Sequence, residues 1–336
     1  MTRVKFWGVR GSIPAPLTGR AVEDKIRDAL ASYEMHCIYE ARNHHNPHPG
    51  AKEFLKNMPF SERATYGGNT SCVEVLCGEE QIVLDMGTGL RLLGNNLFGK
   101  MKQKKGLKIH FFISHVHWDH IQGLPFFGPL YVNKEDGIKN WWNFYGGTSW
   151  MATAETCLKG QMDQPVFPVS FKEIEAMTYR IDTNSLYDKM NFSIGSVQVK
   201  TRKLNHPQET FGWRIEHNGK IIVYTTDNEP YDPNYPDPRL LELADGADVW
   251  ITDCQYTKAV YEGEVGGVHR HGWGHSYPEA VARTAVLAGV KKTVLFHHDP
   301  SSTDKQIDDI AAHCKSLVEK DQDVVAAYEE LEIALD

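Results

Sequence analysis

Residues 114–120, Ser-His-Val-His-Trp-Asp-His, combine the residue types and the spacing that metal chemistry requires. They follow an apolar run that predicts a β-strand. Because side chains alternate along an extended segment, His115 and His117 point to one side of the strand end. Asp119 and His120 come where the chain leaves the sheet, and they approach the same space from another direction. Three imidazoles and one carboxylate suit a borderline-soft divalent cation such as zinc.

The alternative is a histidine cluster that binds no metal. We disfavour it because an uncoordinated buried cluster would contain unpaired polar groups, each of which is costly to bury. One metal takes about four ligands. A site that also keeps a water molecule therefore needs ligands from further along the chain, and we expect it to bind two metals.

Three residues in the second half of the chain qualify as the remaining ligands. His206, Asp227 and His297 each follow an apolar predicted strand directly, so we expect them at the same rim of the fold as residues 114–120. His298 is the neighbour of His297 and an alternative ligand, although we favour His297.

Two further carboxylates, Asp85 and Asp253, also end predicted strands. We expect them either to hydrogen-bond the ligand histidines and fix their orientation, or only to cap a loop.

The elements that position these residues alternate between strands and helices in two similar halves without a Gly/Ser-rich or Pro-rich linker. Strands are predicted over 3–9, 72–77, 81–85, 107–113, 192–204, 211–216, 220–225, 248–252 and 293–296, and helices over 90–98, 240–244, 278–288 and 304–319. The pattern predicts the α/β class and a single domain, residues 1–336, in which two β-sheets pack face to face with helices outside.

Two segments depart from this alternation. Residues 18–65 look like an insertion, with helical spacing over 21–39 and a histidine-rich loop over 43–50 that we interpret as a solvated turn. Residues 131–168 are rich in Trp, Tyr, Gly and Met. We interpret them as an irregular aromatic lid or a homodimer contact, and a satellite core is the alternative.

Composition narrows the classes of function. The formal net charge of −8 argues against a broad nucleic-acid-binding face, but it allows a small phosphate-bearing ligand held by metals. Six cysteines without a CxxC pair indicate reduced thiols in a chain of 336 residues. The sequence begins without an apolar signal region and has no uncharged run of roughly 18 residues. We therefore expect a cytoplasmic protein without a membrane partner.

The motif HxHxDH at 115–120, followed by His206, Asp227 and His297, resembles the metal-ligand pattern of the metallo-β-lactamase superfamily over nearly the whole chain. The resemblance implies an αββα sandwich of two mixed β-sheets with a dinuclear site, containing zinc or else manganese. It also implies that the first metal binds His115, His117 and His206, that the second binds Asp119, His120 and His297, and that Asp227 bridges them.

The branch of the superfamily follows from other positions. Asp227 stands where true β-lactamases of this fold usually have Cys, and His117 stands where flavodiiron members have Glu. The run Gly274-His275-Ser276 before a helix resembles the phosphodiesterase branch, which includes ribonuclease Z and cyclic-nucleotide phosphodiesterases. That likeness implies that His275 lies beside the scissile phosphate and acts in catalysis together with Asp119 and Asp227.

The expected function is therefore hydrolysis of a phosphodiester, in a cyclic nucleotide or other small cyclic phosphate, by metal-activated hydroxide. The long tRNA-grasping arm of bacterial ribonuclease Z is not evident, although ribonuclease Z-like RNA processing is an alternative. A thioester or lactone hydrolase would keep the same ligands without requiring His275, and a metal-free binding protein would require none of them. We expect a homodimer.

Overall fold

The computed structural model describes residues 1–43, 50–104, 106–147, 160–232 and 235–335. Two seven-stranded β-sheets face each other in this part of the chain. The first sheet contains β1 (Thr2–Gly8), β2 (Cys72–Cys77), β3 (Glu80–Leu84), β4 (Lys108–Phe112), β5 (Trp141–Gly147), β6 (Arg180–Leu186) and β14 (Glu332–Leu335). The second contains β7 (Asn191–Ile194), β8 (Val197–Lys203), β9 (Phe211–His217), β10 (Lys220–Thr225), β11 (Val249–Asp253), β12 (Lys292–Phe296) and β13 (Asp323–Ala326).

Both sheets are mixed, and their parallel strands determine where the functional residues come together. The strand order is β14-β1-β2-β3-β4-β5-β6 in the first sheet and β13-β12-β11-β10-β9-β8-β7 in the second. Strands β3 to β6 are parallel, and so are β10 to β13, whereas the remaining pairs are antiparallel. Parallel strands end at the same edge of a sheet, so the loops that follow β3, β4, β10, β11 and β12 meet at shared rims.

The helices lie outside the two sheets. They are α1 (Gly19–Asn43), α2 (Ala51–Asn57), α3 (Phe60–Arg63), α4 (Gly89–Lys104), α5 (Trp118–Ile121), α6 (Phe171–Met177), α7 (Pro238–Ala244), α8 (Lys258–Tyr261), α9 (Pro278–Leu287) and α10 (Asp304–Ser316), with short 3-10 helices at Leu124–Phe126, Gly128–Tyr131 and Lys134–Asp136. Helix α4 packs in the core beneath the first sheet. Helices α7, α9 and α10 bury the outer face of the second sheet.

The main core lies between the sheets and is built from inward-facing residues of both. Phe6 and Phe112 come from the first sheet, and Trp213, Tyr224 and Phe296 come from the second. The rings of Phe112 and Trp213 meet across the interface with centroids 4.7 Å apart. This contact joins β4 to β9 directly beneath the loop that carries residues 114–120. The predicted α/β fold of two facing mixed sheets with outer helices is confirmed.

The aromatic stretch differs from the sequence prediction. Trp141–Gly147 forms β5, which pairs in parallel with β4 and β6 inside the first sheet. The side chains of Trp142 and Phe144 are buried in the core. The prediction of an irregular lid or dimer contact is therefore wrong for these residues. Both faces of the strand are covered, and its two glycines and one asparagine are residue types that are uncommon in strands, so the sequence did not indicate it. Trp150, which belongs to the same predicted segment, lies outside the described residues.

The segment interpreted as an insertion contains helices α1, α2 and α3 in the part that the structure describes. The helix predicted over 21–39 is confirmed as α1, in which no residue is buried. The ammonium group of Lys25 in α1 lies 2.8 Å from a carboxylate oxygen of Asp304 in α10. The histidine-rich loop predicted over 43–50 falls mostly outside the described residues.

Within the described residues, Cys37, Cys72, Cys77, Cys254 and Cys314 are free thiols. The helices in the described ranges include none that combines the length and apolar character needed to cross a membrane.

Candidate metal centre

The loop after β4 is held by a buried carboxylate at the end of the neighbouring strand. Asp85 follows β3 with a φ of 61°, in the left-handed region. Its Oδ1 accepts a hydrogen bond from the backbone N–H of Ser114 at 2.7 Å, and its Oδ2 accepts from the Ser114 hydroxyl at 2.8 Å. Oδ2 also lies 2.8 Å from Nδ1 of His120 and accepts from the Tyr224 hydroxyl on β10 at 2.7 Å. Asp85 thus joins the histidine loop to both sheets, which agrees with its expected role.

The three residues predicted from the second half stand at strand ends on the second sheet. His206 follows β8, Asp227 follows β10 and His297 follows β12. Asp227 and His297 have φ values of 52° and 59°. A left-handed backbone is uncommon for residues other than glycine, and such strain is concentrated at functional sites. Here it turns each side chain out of the strand and towards the loop after β4.

The first group of ligand atoms contains three imidazoles and one carboxylate oxygen. Nδ1 of His117 lies 2.9 Å from Nε2 of His115 and 3.1 Å from Nε2 of His206. Oδ2 of Asp227 lies 3.5 Å from Nε2 of His115 and 3.8 Å from Nε2 of His206. One ligand atom from each of these four residues lies within 4.8 Å of every other.

The second group lies on the other side of the Asp227 carboxylate. Nε2 of His120 lies 3.3 Å from Oδ2 of Asp119 and 3.3 Å from Oδ1 of Asp227. Nε2 of His297 lies 3.1 Å from Oδ2 of Asp119, 3.3 Å from Oδ1 of Asp227 and 3.2 Å from Nε2 of His120. The two oxygens of Asp227 therefore face two different groups of ligand atoms. The structure brings all seven predicted ligands together.

The chemistry of these donors fits divalent cations. Burial lowers the pKa values of His115 and His117, and it lowers that of His206 to about 4. Neutral imidazoles with a free lone pair are the form that binds metals. The other ring nitrogen is used elsewhere in His206, which donates from Nδ1 to the carbonyl of Gly274 at 3.2 Å. Likewise, Nδ1 of His297 donates to Oε1 of Gln255 at 3.2 Å, which leaves Nε2 facing the group.

The carboxylates around His120 also favour the binding of a cation. Burial lowers its pKa, but the carboxylates of Asp119, Asp227 and Asp85 have the larger combined effect and raise the pKa well above the usual value for histidine. These carboxylates favour a positive charge at this point. A metal ion would satisfy the same demand in place of the proton.

The rings of His297 and His298 point in different directions. His298 donates from Nε2 to the carbonyl of Ala327 at 2.8 Å, away from the ligand groups. Burial lowers the pKa of His298 to about 3. His298 is therefore a neutral core residue, and His297 is the one that joins the ligand group.

His275 stands next to the seven predicted ligands, and one ligand atom from each of His275, Asp253, Asp227 and His297 lies within 4.8 Å of every other. Its ring centroid lies 5.0 Å from that of His297 and 5.7 Å from that of His206. Its Nδ1 lies 2.5 Å from Oδ2 of Asp253, the last residue of β11. Burial lowers the pKa of His275, but the carboxylates, Asp253 foremost, raise it to about 9 overall. Asp253 thus orients a charged imidazole whose Nε2 is on the side away from it.

Sequence reasoning missed several residues that support the site. The backbone N–H of Ser12 donates to Oδ2 of Asp119 at 2.7 Å. A Cβ on Gly11 would lie 2.4 Å from the His297 ring, so this position requires glycine. Gln255 and Glu229 also make hydrogen bonds at the site. The glycine-containing loop at 8–16 was a visible signal, and Gln255 lies in the run Asp253-Cys-Gln-Tyr, which resembles the phosphodiesterase branch. Nothing in the local sequence distinguished Glu229.

A family model and proteins of known name are similar to this chain. A family model described as "Beta-lactamase superfamily domain" matches residues 81–298. Ribonuclease Z of Prochlorococcus marinus (strain MIT 9515) is 26% identical over 269 residues, which cover 69% of this chain and 79% of that protein.

Two solved structures share the fold over nearly the full length of both chains. A diphosphatase from the PhnP family aligns with a TM-score of 0.60 and 15% identity, covering 100% of this chain and 98% of the other. Zn(2+)-bound PqqB from Methylobacterium extorquens aligns with a TM-score of 0.60 and 14% identity, covering 99% of this chain and 100% of the other. At these identities the two structures show a common fold and nothing more.

Proposed function

This chain belongs to the beta-lactamase superfamily, and from that premise we propose that it is a hydrolase of phosphodiester bonds that uses two divalent metal ions. The observation that carries the proposal is the division of the Asp227 carboxylate, with Oδ2 towards His115 and His206 and Oδ1 towards His120 and His297. A carboxylate shared in this way suits a bridging ligand.

The two groups of atoms around Asp227 support one ligand set for each cation. His115, His117 and His206 would hold one cation, Asp119, His120 and His297 would hold the other, and Asp227 would serve both. Two such cations, when bound, supply Lewis acidity that lowers the pKa of water and offsets negative charge on phosphoryl oxygens. Imidazole-rich sets favour zinc, and the carboxylates also suit manganese.

His275 would donate the proton that the leaving oxygen needs. Asp253 binds Nδ1, so Nε2 is the atom available to a substrate. The nearby carboxylates of Asp253, Asp227 and Asp119 favour the protonated ring that a general acid requires. Cations at the adjacent ligands would oppose this effect and bring the pKa of His275 closer to neutral pH, where an acid works best.

A cyclic nucleotide or other small cyclic phosphate is the substrate class we favour. The net charge of −8 supports a small substrate over an extended RNA. Trp118, between His117 and Asp119, is 69% exposed, and Trp273, one residue before Gly274, is 50% exposed. Exposed rings beside the ligand residues suit stacking on a nucleobase.

Ribonuclease Z-like cleavage of RNA is the second candidate, favoured by the 26% identity to a ribonuclease Z. A substrate panel separates the classes: 2′,3′- and 3′,5′-cyclic nucleotides, bis(p-nitrophenyl) phosphate, a precursor tRNA transcript and a thioester. We expect turnover of a cyclic nucleotide and the p-nitrophenyl ester. Specific cleavage of the transcript without cyclic-nucleotide turnover would support the second candidate, and turnover of the thioester alone would contradict both.

The role of His275 gives the sharper test. His275→Ala should keep its metal content, because His275 is not among the seven ligands, and it should lose about 10²-fold or more of the activity on alkoxide-leaving phosphodiesters. The loss should be smallest with p-nitrophenolate, which leaves without a proton. His271→Ala is the matched control, since His271 lies on the same loop but is exposed and pairs with Glu262. Wild-type rates of His275→Ala on every phosphodiester would rule out phosphodiester chemistry assisted by this residue.

A further inference from the structure

Glu229, two residues after Asp227, has a buried carboxylate that binds the end of helix α8 and the loop at 272–274. The residue is 7% exposed. Its Oε1 accepts a hydrogen bond from the Tyr261 hydroxyl at 2.6 Å and from the backbone N–H of Gly272 at 2.8 Å. Its Oε2 accepts from the backbone N–H of Gly274 at 2.9 Å. Three donors around one buried carboxylate offset the cost of removing its charge from water.

The loop that Glu229 binds has a backbone that ordinary residues rarely adopt. Gly272 and Gly274 have φ values of 79° and 88°. Two left-handed positions so close together turn both N–H groups towards the same carboxylate, as in an anion-binding nest. His275 is the next residue, so the position of its ring depends on where this backbone is held.

The same loop packs against a predicted metal ligand. A Cβ on Gly274 would lie 1.9 Å from Nδ1 of His206, and the carbonyl of Gly274 accepts from that nitrogen at 3.2 Å. Asn205 holds the backbone of Glu229. The backbone N–H of Glu229 donates to the Asn205 carbonyl at 2.8 Å, and the backbone carbonyl of Glu229 accepts from Asn205 Nδ2 at 2.9 Å. Glu229 therefore connects the chain that carries His206 and Asp227 to the chain that carries His275.

We propose that Glu229 is a positioning residue for His275, and that its carboxylate fixes the distance between the proton-donating imidazole and the metal ligands. The inference rests on the proposed function, because it takes His275 as the proton donor. It requires a carboxylate specifically. In glutamine one of the two terminal atoms becomes an NH₂ group, which would face an N–H donor of Gly272 or Gly274 and could not accept its hydrogen bond.

The experiment compares Glu229→Gln, His275→Ala, the double variant and Glu264→Gln as a matched control in the full-length metal-loaded protein. Glu264 is an exposed glutamate of the same segment. We expect Glu229→Gln to keep its metal content and to lose about 10-fold or more in kcat on cyclic nucleotides, with a much smaller loss on p-nitrophenyl esters. KM should change little. The double variant should be no slower than His275→Ala, since both changes remove the same proton transfer.

The outcomes separate this inference from the proposed function. If Glu229→Gln keeps the wild-type kcat while His275→Ala loses activity, only the positioning role is overturned. The same holds if Glu229→Gln loses activity because it loses metal. A normal His275→Ala contradicts the proposed function itself. Should Glu229→Gln fail to fold, Tyr261→Phe decides, because it removes one of the three donors and leaves the carboxylate. A loss confined to poor leaving groups supports the inference, and a wild-type profile overturns it.

Discussion

Asp227 is the residue on which the dinuclear proposal depends. Each of its oxygens faces a separate pair of imidazoles, at 3.3 to 3.8 Å. Asp227→Ala should therefore lower the content of both metals and abolish activity, because it removes a ligand from each set at once. Elemental analysis of purified protein tests this against Asp245→Ala, which removes an exposed carboxylate outside the site. A variant that keeps two metals per chain would exclude a bridging role.

The sequence pointed to the seven candidate ligands, but it did not point to most of the residues that support them. The seven His and Asp residues were recognisable because each combines a metal-binding side chain with a position just after an apolar strand. Asp85 was found for the same reason. Gln255 and Ser12 act through single hydrogen bonds to ligands 42 and 107 positions away along the chain. Serine is common in ordinary loops, so no local pattern identified Ser12, and the likeness around Asp253 did not give Gln255 a role of its own.

At the scale of elements, strand β5 gives a clear prediction. Trp142 is completely buried, and its ring centroid lies 5.6 Å from that of Phe127 and 6.2 Å from that of Phe111. Trp142→Ala should lower the free energy of unfolding by about 3–5 kcal/mol, through lost burial and the cavity left behind. Metal bound per folded chain and KM should stay unchanged.

Urea denaturation followed by fluorescence or circular dichroism measures this effect. Trp118→Ala is the control for stability, since a side chain that is 69% exposed should change the free energy of unfolding by less than about 0.5 kcal/mol. A Trp142→Ala protein of normal stability with a raised KM would instead restore the lid interpretation for this part of the chain.

The predicted elements succeeded where apolar periodicity was strong and failed where it was weak. Strands β3, β4, β10 and β12 are short apolar runs that end at a functional residue, so their existence and their ends were both visible. Strand β6 reads Arg-Ile-Asp-Thr-Asn-Ser-Leu and lies at the edge of the first sheet, where β5 is its one partner among the described strands. A partly exposed edge strand has no buried face to enforce alternation, and so the sequence did not indicate it.

At the scale of the whole molecule, the two sheets meet at the candidate metal centre. Four predicted ligands, His115, His117, Asp119 and His120, follow β4 of the first sheet. The other three follow strands of the second sheet. The order of strands could not be read from the sequence, because it depends on long-range pairing. Strand β14 returns to pair with β1, although β13, which precedes it, belongs to the other sheet.

Removing the metals should therefore loosen the contact between the sheets and lower the thermal stability of the whole chain. A ligand present at 100 times its dissociation constant adds about 2.7 kcal/mol to the stability of the state that binds it. We expect dialysis against a chelator to lower Tm by several degrees and added zinc to restore it. Asp227→Ala should show a much smaller response to either treatment.

The chelator effect should also grow with pH, because a proton on His120 partly replaces the metal charge in the stripped protein. The surrounding carboxylates outweigh burial and raise the folded-state pKa of His120 well above its usual value. A raised histidine pKa contributes stability that is fully present below the unfolded value of about 6.5 and is lost as pH rises through the folded value. Metal-free protein should thus lose stability as pH rises above about 6.5. Metal-loaded protein should not, because protons compete less with the metals for the ligand residues as pH rises. Melting curves of both forms across that pH range test this prediction. If Tm changes with pH in the same way in both forms, the proton on His120 does not replace the metal charge.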